Sequence, residues 1–316
     1  MTRRAFFIVN PAAGAGRGAG IWEHCALWLR QQGAHPEFTV TRAPGEARHL
    51  AREAATRCEL VVAVGGDGTV SEVADGLLGA ASARANLAVI PCGTGNDFAE
   101  TLGIMSIDAA QEALIHGTAR EVDVIEVQCR LADKPVRRHV LLFAAVGIAA
   151  ECLKQTTPRV KRFFGQRRAY TVGLIRALWS YRAPHMSVTV DGETFEKEFL
   201  FAGISNSERA GGGFKLAPGA QIHDGRLNVN LVEALGRWEA FGQIRRLGHG
   251  THVGHPRVRY STAVRMTVHS SAPLEIAADG ELIGETPATC EIRPGALQVL
   301  VPKGNSDARS LTKLLI

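Results

Sequence analysis

The first third of the chain alternates short apolar runs with segments of helical periodicity. Strands are predicted at Ala5–Val9, Glu37–Val40, 60–64 and 87–90, and all but the second are unbroken apolar runs, as expected for strands buried on both faces of a sheet. Helices are predicted between them, around Ile21, Cys25 and Leu29 and at 46–57 and 70–78. This order predicts a parallel sheet covered by helices, in which ligands bind at the carboxyl ends of the strands.

From about residue 128 the pattern changes to period-two alternation with turn signals. Asp191-Gly192 is a hairpin signal between two alternating segments. Further strands are predicted at 227–232, 264–268, 274–276 and 297–301, with helices at 167–182 and 237–247. We therefore predict an α/β plus mostly β protein, with a doubly wound parallel-sheet domain over 1–127 and an antiparallel β-sandwich over 128–301. The apolar end of the chain, within 302–316, is expected to pack back on the first domain.

The clearest chemical signal is VVAVGGDGTVSE, at residues 61–72. A buried strand runs into three glycines within four residues and then into a helix. Glycines let backbone N–H groups approach a phosphate closely, and a helix N-terminus favours negative charge. Asp67 in this loop would repel a phosphate, which indicates a divalent cation or a reacting proton nearby. The alternative is a tight turn in which Asp67 caps the helix.

Two more small-residue loops follow predicted strands, NPAAGAGRG at 10–18 and PCGTGNDF at 91–98. Because parallel strands end at one sheet edge, the three loops are expected to form a phosphate cradle there. The first loop also fits a loose dinucleotide fingerprint, Gly14-x-Gly16-x-x-Ala19, with Glu37 as the acidic ribose ligand. Glu37 begins its predicted strand instead of ending it, which argues against an oxidoreductase. The chain has no Walker A sequence, so the common NTPase geometry is excluded.

Composition and charge fit a protein that handles phosphate. The 316 residues are 46% apolar and 21% charged, enough for two domains with a sizeable core. The net charge of +5 suits a nucleotide, a nucleic acid or an anionic membrane, although solubility alone would also explain it. The six cysteines lack the spacing of zinc or redox sites and indicate a reducing compartment.

The N-terminus contains an Arg3-Arg4 pair that resembles part of an export signal. The apolar run after it stops at Asn10-Pro11, too early for a signal sequence, and the longest later run, 140–150, is too short to span a bilayer. We therefore expect a cytoplasmic protein that touches membranes from outside.

The order and spacing of NPAAG, GGDGTVSE and PCGTGNDFA resemble the catalytic domain of the diacylglycerol kinase and sphingosine kinase superfamily, in particular the bacterial soluble lipid kinases. The second half is similar to family motifs at GGGFKLAP (211–218), DGRL (224–227) and ADGE (278–281). NAD kinases and phosphofructokinases share a GGDGT-like loop but not the full series. The resemblance covers nearly the whole chain and implies an N-terminal nucleotide domain of the NAD kinase/phosphofructokinase type.

The resemblance also implies roles for individual residues. ATP would be bound by Asn10, Pro11, Ala12, Ala13, Gly14, Thr41, Gly66, Asp67, Gly68, Thr69, Val70, Ser71, Glu72 and Thr94. Asp224 would hold Mg²⁺ with the main-chain carbonyls of Gln221 and Arg226, and Asp67 would join this ion directly or through water. Glu281 would accept the proton of the lipid hydroxyl, with Asp279 beside it. Ser71 departs from the family pattern, in which many members carry Asn.

Two features have plain structural alternatives. LEIAADGELIG around Asp279 is as good a hairpin signal as Asp191-Gly192, so the pattern alone does not separate the two. His249, His252 and His255 are spaced by three among glycines, which fits no common zinc pattern. We predict that these three histidines lie in a flexible polar loop.

The basic segment 154–182, from Lys154 to Arg182, has eight Lys and Arg residues, no acidic residue, and Phe163-Phe164 in its middle. It is expected to contact anionic phospholipid at the inner face of the membrane. Nucleic acid would fit by charge, but no nucleic-acid motif accompanies the segment, and none is expected to bind. The other interpretation is a solvated face over a core helix built on Leu174, Ile175, Leu178 and Trp179.

Together these features predict a Mg²⁺-dependent kinase that transfers the γ-phosphate of ATP to a lipid hydroxyl at a membrane surface. Diacylglycerol is the first expected substrate, with phosphatidic acid as the product. One alternative is a small-molecule kinase of the NAD kinase type. The other is a non-catalytic membrane-binding protein regulated by nucleotide. A homodimer is compatible with the sequence.

Overall fold

The computed structural model describes residues 4–80, 85–156 and 158–303, with side chains described from residue 168 onward in the helix that begins at Pro158. The chain divides into two compact units, Met1–Val122 with Gly295–Ile316, and Asp123–Pro294. Both crossings between the units therefore come earlier in the chain than the predicted boundaries at 127 and 301. Most of the segment predicted to pack back, residues 304–316, lies outside the described residues.

The first unit is built on a parallel sheet. Its first four strands are β1 (Ala5–Val9), β2 (Glu37–Val40), β3 (Leu60–Gly65) and β4 (Asn86–Pro91), in the spatial order β2-β1-β3-β4. Two long strands, β5 (Thr118–Leu131) and β14 (Glu281–Val301), run through both units, and the end of β14 lies parallel to β4 with Val299 opposite Leu87. The strand order reverses between β1 and β3, which is where ligands bind in open sheets of this kind.

The connections of the first unit are helical. They are the one-turn segment α1 (Ala13–Gly16), then α2 (Gly18–Gln31), α3 (Glu46–Ala54), α4 (Asp67–Leu78), α5 (Asp97–Thr101) and α6 (Ile107–His116). Every residue of β3 is buried, in agreement with the unbroken apolar run that predicted the strand. The predicted α/β character of the first part of the chain is confirmed.

The second unit consists mainly of antiparallel strands. They are β6 (Lys134–Val140), β7 (Phe143–Gly147), β8 (His185–Val190), β9 (Glu193–Ser205), β10 (Leu227–Glu233), β11 (Val258–Ala263), β12 (Arg265–Ser270) and β13 (Glu275–Ala278). The long strand β9 pairs first with β8 and then with β7 and β10, while β14 pairs first with β13 and then with β12. The strands share one apolar core, and the predicted β-rich second part is confirmed.

Three helices form a second cluster in this unit: α7 (Ile148–Gln155), α8 (Pro158–Ser180) and α9 (Arg237–His249). Ile148, Leu178 and Ala240 pack together there, with Leu200 and Phe201 of β9 against them. The sequence predicted α8 from 167 only and did not predict β5, β6, β7, β11 or α7. In the described part of the chain, no helix is long and apolar enough to cross a membrane.

Candidate active site

The loop after β1 is fastened to the helix after β3 through Asn10. Its side-chain Nδ2 donates a hydrogen bond to the hydroxyl of Thr69 over 2.9 Å, and its Oδ1 accepts the N–H of Ala12 over 3.0 Å. Thr69 is buried near the start of α4. The NPAAG loop and the GGDGT loop therefore form one assembly at the carboxyl end of the sheet.

Close backbone contacts join the remaining loop to this assembly. A Cβ on Gly66 would lie 2.9 Å from the Cα of Gly93, and a Cβ on Gly14 would lie 2.2 Å from the carbonyl oxygen of Cys92. Gly14 also has a left-handed φ of 61°, which favours glycine. The three loops meet at one edge of the sheet, as predicted, and glycine is required where they touch.

Asp67 binds the third loop. Its Oδ1 accepts the N–H of Phe98, at the start of α5, over 3.1 Å. Its own helix α4 has Gly66 at the N-cap, with no side-chain hydrogen bond there. Asp67 therefore stabilises the N-terminus of α5, and it also lies in the first turn of α4, the helix that the sequence suggested.

Glu72 and Thr41 support the loop after β2. Glu72 is buried and accepts the N–H of Gly45 over 2.9 Å. The N–H and the hydroxyl of Thr41 both donate to the carbonyl of Val9, over 2.8 and 3.3 Å. Both residues thus shape the edge of the sheet at which the three glycine loops meet.

The other predicted ATP ligands lie on the same four loops and their helices. Val70 is buried, Ala12, Gly68 and Thr94 are exposed, and Pro11, Ala13 and Ser71 are intermediate. Glu37 begins β2, and its carboxylate pairs with Arg57 over 2.7 Å. That ion pair gives Glu37 a structural role and removes the support for a dinucleotide fingerprint.

In the second unit, Asp279 and Gly280 form the two-residue turn between β13 and β14. Their φ angles are 44° and 89°, and Ala278 lies opposite Glu281. The Asp279 carboxylate accepts three backbone N–H groups, those of Leu141, Leu142 and Phe143, over 2.8 to 3.0 Å. The hairpin is thus present, and Asp279 holds the segment that leads into β7.

The Asp191-Gly192 turn is built in the same way. Asp191 and Gly192 have φ angles of 46° and 95°, and the Asp191 carboxylate accepts the N–H groups of Val264 and Arg265. An Asp that binds backbone N–H groups is therefore not specific to the ADGE motif. The Asp279 carboxylate thus holds backbone in place, and the neighbouring Glu281 side chain is partly exposed.

Two buried polar residues that the sequence reasoning missed support this region. Asp123 binds the 221–226 loop, because its Oδ2 accepts the N–H of Gly225 over 2.7 Å and its N–H donates to the carbonyl of Ile222 over 2.7 Å. Asn206 is fully buried and donates to the carbonyls of Asp123 and Leu141. An isolated Asp in the run VDVIEV and an Asn in GISNS were the available signals, because a buried polar residue must find partners.

The loop that Asp123 holds carries the predicted metal ligands. Gln221, Asp224 and Arg226 are exposed, and Oδ1 of Asp224 accepts the N–H of Arg226 over 2.9 Å. Within the described ranges, no group of three or more His, Cys, Asp or Glu side chains could hold a metal ion. A site made of one carboxylate and main-chain carbonyls does not need three such side chains. Its hard oxygen donors suit Mg²⁺.

An apolar cavity of about 160 Å³ lies inside the second unit. Its walls come from α7, α8, α9 and the adjoining strands, with Leu174, Leu178 and Phe201 among the apolar residues. Phe143 and Gly280 also line it, so it reaches the turn that precedes Glu281. A cavity of this composition would accept hydrocarbon rather than a polar metabolite.

The histidine prediction is wrong. His252 is 4% exposed, lies in a 3₁₀ turn (Thr251–Gly254), lines the cavity, and has its Nε2 3.0 Å from Nδ2 of Asn230. Burial lowers its pKa. His255 lies 3.2 Å from Glu239 and pairs with it when protonated. His252 and His255 are packed because the turn after α9 closes one side of the cavity, whereas His249 is exposed at the end of α9.

The basic segment 154–182 is partly described. Arg168, Arg176 and Arg182 are exposed, and Lys154 pairs with Glu275. Phe163-Phe164 and the basic side chains from 159 to 167 lie outside the described side chains. Trp179, which the alternative interpretation placed in the core of this helix, is 62% exposed, whereas Ala177 and Leu178 are buried.

The three glycine-rich loops of the first unit suit a phosphate-bearing ligand, and the apolar cavity of the second suits an apolar one. Residues 4–127 match the family model of the diacylglycerol kinase catalytic domain, and residues 144–301 match that of the YegS C-terminal NAD kinase beta sandwich-like domain. The chain belongs to the diacylglycerol kinase-related family of lipid kinases. It is a lipid kinase, and this membership implies ATP as its co-substrate.

Individual relatives agree over nearly the whole chain. A "Diacylglycerol kinase" of Bacillus subtilis is 30% identical over 96% of this chain and 98% of its own length. A "Probable lipid kinase YegS-like" of Pseudomonas aeruginosa PAO1 is 33% identical over 92% of this chain and 93% of its own length. A crystal structure of a diacylglycerol kinase from Bacillus anthracis has a TM-score of 0.73 and 25% identity, covering 95% of this chain and 98% of that one.

Proposed function

We propose that this lipid kinase transfers the γ-phosphate of ATP to the free hydroxyl of diacylglycerol, giving phosphatidic acid. The observation that carries the proposal is the apolar cavity that reaches the Asp279-Gly280 turn, directly before Glu281. The acyl chains of diacylglycerol suit an apolar cavity, and its single hydroxyl could donate its proton to the Glu281 carboxylate. Relatives named diacylglycerol kinase support the same substrate.

The nucleotide is proposed to bind the edge of the sheet in the first unit. The loops joined by Asn10, Thr69, Gly66 and Gly93 bring backbone close together without intervening side chains. The N-cap of α4 is Gly66, which has no side chain to cover the first N–H groups of the helix, and such N–H groups suit phosphate oxygens. Phosphoryl transfer depends mainly on such positioning and charge stabilisation.

Mg²⁺ is proposed to be held by Asp224 and the main-chain carbonyls of Gln221 and Arg226. When bound, the ion would neutralise charge on the transferring phosphate. This chain's contribution is a prepared loop, since Asp123 binds the backbone of both Ile222 and Gly225. Arg226 also fixes Asp224 through its N–H.

Glu281 is proposed to accept the hydroxyl proton as the new O–P bond forms. Asp279 is then a positioning residue, because its carboxylate already accepts three backbone N–H groups. Anionic phospholipid contact through the basic segment and a position at the inner face of the membrane remain proposals. A homodimer remains a prediction from the sequence alone.

The test is phosphorylation with radiolabelled ATP and Mg²⁺ in mixed micelles. Diacylglycerol, a sphingoid base, ceramide, undecaprenol and phosphatidylglycerol are offered separately, and NAD is offered without detergent. We expect label in phosphatidic acid, and almost none for Glu281→Gln. Label in another lipid would overturn the proposed substrate but keep the lipid kinase, whereas label in NAD alone would support the NAD kinase alternative.

A further inference from the structure

Two tryptophans are exposed on the helices that enclose the lipid cavity. Trp179 near the end of α8 is 62% exposed, and Trp238 near the start of α9 is 83% exposed. Ile175, one turn before Trp179, is 43% exposed. Exposed tryptophans leave a large apolar area in water, which usually marks a surface that binds something.

These side chains form one patch. The guanidinium of Arg237 lies 5.7 Å from the ring centre of Trp179, which brings the start of α9 to the end of α8. Trp238 follows Arg237 directly, and its ring lies 6.1 Å from that of Phe241. Phe241 in turn packs on the apolar cluster beneath the helices.

Positive charge surrounds the patch. Arg176, Arg182 and Arg237 are exposed, and the sequence from 152 to 190 has no acidic residue. The nearby acidic residue of α9, Glu239, lies 3.2 Å from His255 and 3.7 Å from Arg257. Tryptophan rings beside arginines match the chemistry of an anionic lipid headgroup layer, where amphipathic rings and cations are both favoured.

Other residues of the same two helices line the apolar cavity. Leu174 and Leu178 of α8 and Ala240 and Ile244 of α9 are among its walls. A bilayer in contact with the exposed residues would therefore lie against two helices that also contribute to the wall of the cavity.

We propose that a tryptophan–arginine face, made of Ile175, Arg176, Trp179, Arg182, Arg237 and Trp238, inserts into the headgroup layer of an anionic bilayer. The lipid substrate then passes between α8 and α9 into the cavity without crossing water. The docking narrows the proposed phospholipid contact of segment 154–182 to one face, and the passage rests also on the proposed lipid substrate. A protein partner on this face is the rival that the experiment separates.

The test uses the full chain and vesicles of phosphatidylcholine, with and without phosphatidylglycerol. We expect binding to the anionic vesicles and quenching of tryptophan fluorescence by lipids brominated near the headgroup. Trp179→Ala with Trp238→Ala should weaken binding at least about tenfold and abolish the quenching. Leu131→Ala with Val264→Ala is the control, because both are exposed apolar residues of the second unit that lie outside α8 and α9.

Arg176→Gln with Arg182→Gln should weaken binding to anionic vesicles about 25-fold, since each arginine near such a surface contributes about fivefold. Arg130→Gln with Lys134→Gln removes the same charge from an exposed hairpin in the same unit and should have little effect. Unchanged vesicle binding in the tryptophan variant, or equal losses in the control pairs, would overturn the proposal and favour a protein partner.

Activity separates the two proposals. On a short-chain diacylglycerol dissolved as monomers, the tryptophan variant should match the wild type, while its activity on vesicles falls with binding. If the wild type phosphorylates neither substrate but still binds and is quenched, the proposed substrate is wrong and the docking face stands. If it phosphorylates both without binding vesicles, the docking face is wrong.

Discussion

Asn10 donates its side-chain amide to the hydroxyl of Thr69 over 2.9 Å, and so joins two loops that are 59 residues apart in the chain. The bond fixes the NPAAG loop against the first turn of α4. The same amide side chain accepts the N–H of Ala12, so Asn10 shapes its own loop as well. The phosphate cradle is therefore a cross-linked structure rather than three independent turns.

Replacing Asn10 by Ala should raise the KM for ATP about tenfold, because the two loops lose their shared hydrogen bond. The free energy of unfolding should fall by only about 1 kcal/mol. Thr69→Val should have a similar effect, and the double variant should lose little more than either single one. Steady-state kinetics of the wild type, the two single variants and the double variant provide a double-mutant cycle. Fully additive effects on the KM for ATP would show that the hydrogen bond does not couple the loops.

The glycines of the GGDGT loop should respond differently to the same substitution. Gly66→Ala places a Cβ 2.9 Å from the backbone of Gly93 and should destabilise the protein by about 1–3 kcal/mol. Gly68→Ala meets nothing within 4 Å and should leave stability unchanged or slightly raised. Both should weaken ATP binding if phosphates approach this loop. Calorimetric titration with ATP and urea unfolding measure the two effects, and normal ATP binding by Gly68→Ala would place the phosphates elsewhere.

Asp279 and Glu281 should separate into positioning and catalysis. Asp279→Asn loses charge-assisted bonds to three backbone N–H groups. Its free energy of unfolding, measured with urea, should therefore fall by about 2–3 kcal/mol. Glu281→Gln should keep wild-type stability and lose at least about a hundredfold in kcat.

Asp191→Asn is the matched control, since Asp191 makes the equivalent turn with exposed hydrogen bonds. It should lower stability by about 1 kcal/mol and leave kcat unchanged. A fully stable, inactive Asp279→Asn protein would contradict the assignment of Asp279 as a positioning residue.

His252 should make stability depend on pH. Burial lowers its pKa in the folded protein, so the unfolded chain binds more protons once the pH falls below about 6.5. Its contribution to stability is therefore present above that pH and is lost as the pH falls towards the folded pKa. Urea unfolding of the wild type and His252→Gln at several pH values should show curves that converge on acidification. Curves that stay parallel would show that His252 does not titrate in this way.

The first unit was largely predictable because each of its first strands can be recognised from its own short segment of sequence. Ala5–Val9 and Glu37–Val40 have the predicted bounds, and the glycine loops follow their strands directly. The region 118–155 was not predictable from periodicity, because its apolar run 140–150 contains the end of β6, all of β7 and the start of α7. No single period describes that run.

Only those parts of the site that are formed by residues close together in the sequence were predictable. The roles of Asp279 and Asp123 depend on backbone partners 138 and 102 residues away, which no local pattern contains. Trp179 has the spacing of a core residue, but it is 62% exposed because the helix turns Ala177 and Leu178 inward. Helical spacing identifies an apolar stripe, and the packing partners decide which part of it is buried.

The most direct measurement is transfer of label from γ-labelled ATP to diacylglycerol in mixed micelles, by the wild type and Glu281→Gln side by side. We expect phosphatidic acid from the wild type, dependent on Mg²⁺, and a loss of at least about a hundredfold in the variant with ATP binding retained. Equal rates from the two proteins, or no labelled lipid from the wild type, would contradict a diacylglycerol kinase that uses Glu281 as its base.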